Sequence, residues 1–95
     1  MATKQKELAD AALGQGAIGK SRDDEPIFVI VARDRLSSES VRSWARRFLA
    51  LRMGLGTFNE TAQSKYNEAL DCADRMDEWR ETNVGGKGEI VDDPR

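Results

Sequence analysis

The apolar positions divide the chain into four stretches separated by glycine-rich or charged segments. Residues 4–13 place Leu8, Ala11 and Ala12 on one weak face, and Gly14 follows as a natural stop, which predicts a short helix. Pro26 introduces Ile27-Phe28-Val29-Ile30-Val31-Ala32, six apolar residues rich in β-branched types and closed by Arg33-Asp34-Arg35. That composition predicts a strand. It does not alternate with polar residues, so both of its faces are expected to be covered.

Beyond the strand the period changes. Val41, Trp44, Ala45, Phe48 and Leu51 recur at helical spacing, with Ser37 or Ser38 as the expected cap and Met53 near the end. Arg42, Arg46 and Arg47 fall off that stripe. Gly54 and Gly56 interrupt the pattern. Thr57 and Glu60 have capping-box spacing and open a third helix to about Thr82. Its stripe is Phe58, Ala62, Tyr66, Ala69, Ala73 and Met76, with Leu70, Cys72 and Trp79 on the flanks. The short connection makes the two long helices an antiparallel hairpin. The division expected is residues 1–17 as short helix and glycine loop, 18–82 as compact core, and 83–95 as a disordered tail.

The fold class expected is mainly α with one short strand, an α+β arrangement of helical hairpin, N-terminal short helix and strand. A lone apolar strand leaves backbone donors and acceptors without partners. No second segment of comparable quality is present in the sequence. Pairing of Ile27, Phe28, Val29, Ile30 and Val31 with the same residues of another copy is the simplest remedy, which predicts a homo-oligomer built on a C2 dimer.

Composition narrows the function classes. The 95 residues suit one domain, and a domain this small buries a modest share of its surface. Cys72 is the only cysteine, so no intrachain disulfide forms and a reducing, cytoplasmic setting is expected. The longest apolar run falls far short of a bilayer span, so no membrane association is expected. Net charge is −2 and the isoelectric point near 5.2, which makes nucleic acid an improbable partner. Histidine is absent, removing the commonest general base and the commonest metal ligand. No metal, no cofactor and no enzymatic activity are expected.

Charge is distributed unevenly. From Ser37 to Met53 there are four arginines and one glutamate, whereas from Thr57 to Thr82 seven acids face three bases. Pairing between the two helices is expected to use much of this charge.

Gly14-Gln-Gly-Ala-Ile-Gly19-Lys20-Ser21 matches the phosphate-loop pattern G-x-x-x-x-G-K-[ST] letter for letter. A working phosphate loop follows a strand and feeds a helix whose dipole faces the phosphate. Here a predicted helix precedes it, and Asp23-Asp24-Glu25-Pro26 follows, placing carboxylates where phosphate would sit. The pattern is therefore read as a glycine-rich turn, with anion binding by its amides and Lys20 as the milder alternative.

The succession Gly19-Lys20, Asp23-Asp24-Glu25-Pro26, an apolar strand, Ala32-Arg33-Asp34, Val41-Arg-Ser-Trp44-Ala45 and Ala73-Asp74-Arg-Met76-Asp-Glu-Trp79 resembles a family of small bacteriophage and prophage proteins. The resemblance spans about residues 18–79 and brings no assigned activity or site residue. It implies a phage accessory gene acting in the host cytoplasm, of the kind that counters host defence. Two modes of action follow. In one, the protein sequesters a cyclic or linear nucleotide signal, gathering Lys20, Arg22, Arg33 and Arg47 around the anion while Trp44 or Trp79 stacks on the base. In the other, it inhibits a host defence protein by direct contact, its acidic third helix covering a basic surface. A structural phage protein is the remaining alternative.

Overall fold

The computed structural model describes residues 3–14 and 19–85. Thr3 caps the first helix, α1 (Lys4–Ala12), its hydroxyl accepting from the Lys6 amide at 3.1 Å. A Lys6–Asp10 ion pair at 3.0 Å adds one turn of support. Nothing in α1 is buried, and Leu8 and Leu13 stay exposed.

The two long helices are α2 (Ser37–Gly54) and α3 (Glu60–Val84). Their ends differ from the sequence reading at three places. Leu36, with no side-chain bond, occupies the α2 cap position, because the Ser37 and Ser38 side chains turn inward to another partner. At α3 the cap is Asn59, whose Oδ1 accepts from the Ala62 amide at 2.9 Å, in place of Thr57. Gly54 is the last helical residue of α2, and Gly56, at φ +67°, makes the stop. Its amide returns to Met53 and that of Thr57 to Arg52, a Schellman closure that needs a left-handed residue at this point.

Helices account for 68 % of the described residues, and no strand occurs among them, so the described chain is all-α. This corrects the expected α+β class and the strand paired across an oligomer interface. Residues 25–31 have no regular secondary structure. Ile27, Phe28, Val29 and Val31 are 57, 76, 48 and 36 % exposed, so the segment is not buried on both faces, and Ile30 is half-buried. β-Branched composition favours a strand only when a neighbouring strand and a packed face receive it. Here the chain turns twice instead, with the Asp34 amide on Val31 O and the Ser37 amide on Asp34 O, both at 3.0 Å. The disordered tail expected over 83–95 begins too early, since α3 continues to Val84. Residues 86–95, and 15–18 of the glycine loop, lie outside the described residues.

The hairpin closes on alanine. Among the described residues the buried apolar ones are Ala45, Ala62 and Ala73, at 0, 1 and 0 % exposure. Val41, Phe48, Tyr66, Ala69, Leu70 and Met76 flank them half-buried. Small residues at the contact allow α2 and α3 to approach closely. At the turn end Phe58 meets Tyr66 edge-to-face at 6.2 Å.

The two flanks of the hairpin have opposite chemistry, because residues two apart stand on opposite sides of a helix. On one flank Arg42 bonds Asp74 and Asp77 at 2.8 and 2.7 Å. On the other, Trp44 stacks on Phe48 at 4.9 Å with the Lys65 ammonium over both rings. Arg42 thus realises the expected pairing of basic and acidic helices.

Candidate functional site

The most tightly built polar cluster centres on Arg80, which is 7 % exposed. Its Nη1 donates to Ser37 Oγ at 2.9 Å and to the carbonyls of Ala32 and Asp34 at 3.3 and 3.4 Å. Its Nη2 donates to Asp77 at 2.5 Å and to Ser38 Oγ at 3.4 Å. One planar fork near the end of α3 therefore fastens residues 32–38 onto the hairpin. Asp77 joins Arg80 to Arg42.

The Ser38 hydroxyl most of all holds the Asp77 carboxyl below the ordinary carboxylate range; burial, the next largest effect, opposes it, and the guanidiniums of Arg42 and Arg80 add to the lowering. The Arg42 guanidinium is correspondingly shifted up, chiefly by its hydrogen bond to Asp74 and then by that to Asp77. Because the folded value of Asp77 is depressed, its contribution to stability is present above the unfolded carboxylate value, about 3.9, and is lost as pH falls through the folded one. The urea midpoint is expected to hold down to about pH 4 and to drop below it. Asp77→Asn should flatten that acid limb. The step is modest, since 37 % of the Asp77 side chain is in water.

The residues expected to bind an anionic nucleotide do not converge. Trp44 and Arg47 do come together, lining an open depression of about 430 Å³ with Leu36, Glu39, Ser40 and Ser43. A second depression of about 390 Å³, on the other side of Trp44, is lined by Lys6, Glu7, Lys65, Glu68, Ala69, Asp71 and Cys72. None of Lys20, Arg22, Arg33 or Trp79 lines either one. Lys20, Arg22 and Arg33 are exposed residues at the two ends of the 20–33 segment, and Trp79, 47 % exposed, lies toward the far end of α3.

The phosphate-loop look-alike follows α1 and leads into a turn in which Glu25 Oε1 accepts from the Arg22 amide at 3.0 Å. A Cβ on Gly19 would stand 2.8 Å from the Gly14 carbonyl carbon, so Gly19 serves close chain packing there, while Gly14 takes a left-handed φ of +70°. Burial, with Asp71 next, pushes the Cys72 thiol up and keeps it from the thiolate form. Among the described residues no group of three or more acidic or sulfur ligands could hold a metal ion, and no helix is long and apolar enough to cross a membrane.

Arg80 and Asp77 are not among the site residues expected from the sequence, though a signal for Arg80 exists. Ala62, Tyr66, Ala69, Ala73 and Met76 set a four-three register whose next position is Arg80. A charge at an apolar register position marks a buried fork with its own acceptors. Comparisons with protein-family models, curated proteins and solved structures found no match.

Proposed function

We propose that this chain is a non-enzymatic accessory protein that acts by binding another protein, with Ile27–Val31 as its docking element. The observation that carries this reading is the exposure of Ile27, Phe28, Val29 and Val31 on a segment whose far end is clamped to the hairpin by Arg80. Contiguous apolar surface on a small protein marks an interaction site. A segment clamped at one end also gives up less conformational freedom on docking than a free peptide. The resemblance to phage accessory proteins supplies the context, a host defence factor met in the host cytoplasm.

A photo-crosslinking amino acid at Ile27 or Val29, in cells expressing the protein, tests the reading. The expected result is one discrete adduct to a host protein, lost when the other position becomes aspartate and missing when the label is at Gln63. Equal labelling from Gln63, or none from either apolar position, would sink it.

A second reading, nucleotide sequestration, is supported by Trp44 and Arg47 sharing a depression with two serine hydroxyls. Native mass spectrometry with linear and cyclic nucleotides separates the two. Retention of a nucleotide that Arg47→Glu abolishes would favour sequestration.

A further inference from the structure

We propose that the solvent face of α2 is a self-association surface, on which a second copy of this chain packs its own α2 in antiparallel orientation. The inference is independent of the Ile27–Val31 segment.

Leu36, Ser40, Trp44, Arg47, Leu51 and Leu55 recur every three or four residues and form one ridge. It is not the ridge packed on α3, which runs through Val41, Ala45 and Phe48. Leu36, Trp44, Leu51 and Leu55 are 60, 44, 60 and 65 % exposed. Between Leu36 and the Trp44–Arg47 pair the surface dips over Ser40 and Ser43.

This ridge is complementary to itself in one orientation. With a two-fold axis midway between Trp44 and Arg47, Leu36 meets Leu55 of the second copy. Ser40 leaves a hole for Leu51, and the Trp44 indole receives the Arg47 guanidinium. Symmetry repeats each layer, as an isologous interface requires. Antiparallel α2 helices also oppose their dipoles. A parallel pairing would set Arg47 on Arg47 and leave the serine dip facing another dip.

Three cations beside the ridge are engaged within the hairpin, and one of them, Lys65, lies over the Trp44 and Phe48 rings. Arg42 is held by Asp74 and Asp77, and Arg52 lies over the Phe48 ring and donates to Thr57. The patch runs the full 18 residues of α2, about 27 Å. Two hairpins joined this way form a four-helix arrangement. Its core would gain the leucines that one hairpin, with three buried alanines, leaves in water.

Sedimentation equilibrium of the full chain is the test, with far-UV circular dichroism alongside. The expected mass is twice the 10.6 kDa of one chain. Leu51→Glu, at a position exposed in the single hairpin, should keep the helical signal and raise the dimer dissociation constant about a hundredfold, since symmetry counts the change twice. Ser40→Arg fills the dip and should do the same by a separate route. Ile27→Asp should leave the dimer intact. A monomer at hundreds of micromolar overturns the proposal, as does a dimer indifferent to Ser40→Arg, whichever way Leu51→Glu behaves.

Discussion

Arg80→Met should lower stability by about 2–3 kcal/mol, the largest loss expected from a single change outside the glycines and alanines. The substitution keeps most of the side-chain volume and removes the fork. Two backbone carbonyls, two serine hydroxyls and one carboxylate then lose a donor together. Asp77 retains Arg42, which keeps the cost below the roughly 3–5 kcal/mol of a fully broken buried pair. Arg80→Lys should recover about half, because an ammonium reaches fewer of these acceptors from one position. Urea unfolding followed by circular dichroism measures both. A lysine variant as damaged as the methionine one would show that fork geometry, and not charge, governs the site. A methionine variant within about 0.5 kcal/mol of the parent would refute the clamp.

The alanine seam gives the second large effect. Ala73→Leu is expected to cost about 2–3 kcal/mol, although leucine is a good helix former and adds apolar volume. Ala73 is fully buried against α2, so the extra carbons have no space unless the helices separate. Separation would draw Arg42 away from Asp74 and Asp77 as well. Ala45→Leu should behave likewise. Ala50→Leu, on an exposed position of the same helix, is the control and should stay within about 0.5 kcal/mol. Equal tolerance at positions 50 and 73 would mean that the helices do not meet at the alanines.

The hairpin was legible in the sequence because its signals are local. Val41 through Leu51 and Phe58 through Met76 repeat at helical spacing, and the glycines between them leave room for one tight turn. The stripe was less informative about depth. Trp44 and Leu51 sit on its edge and remain 44 and 60 % exposed, while the buried seam is made of alanines, which periodicity weights least. The Ile27–Ala32 segment shows the opposite failure. Its composition favours a strand, but a strand is a property of two segments, and no partner occurs among the described residues. Residue types alone define the expected nucleotide site, and of its six residues only Trp44 and Arg47 line a common depression. Arg80 shows in the sequence only as a charge in an apolar register, because four of its five acceptors lie more than forty positions away, at Ala32 to Ser38.

The absence of any buried residue in α1 has a bearing on how binding could be observed. Nine residues with one cap and one ion pair form a helix too short to persist alone. Their amides should therefore exchange with solvent far faster than those of α2 and α3. Lys6 and Glu7 border the depression beside Trp44, so anything that settles there also leans on this helix. The exchange rate of residues 4–12 thus becomes an internal gauge of occupancy, reading out the arrival of a molecule whose identity need not be known in advance.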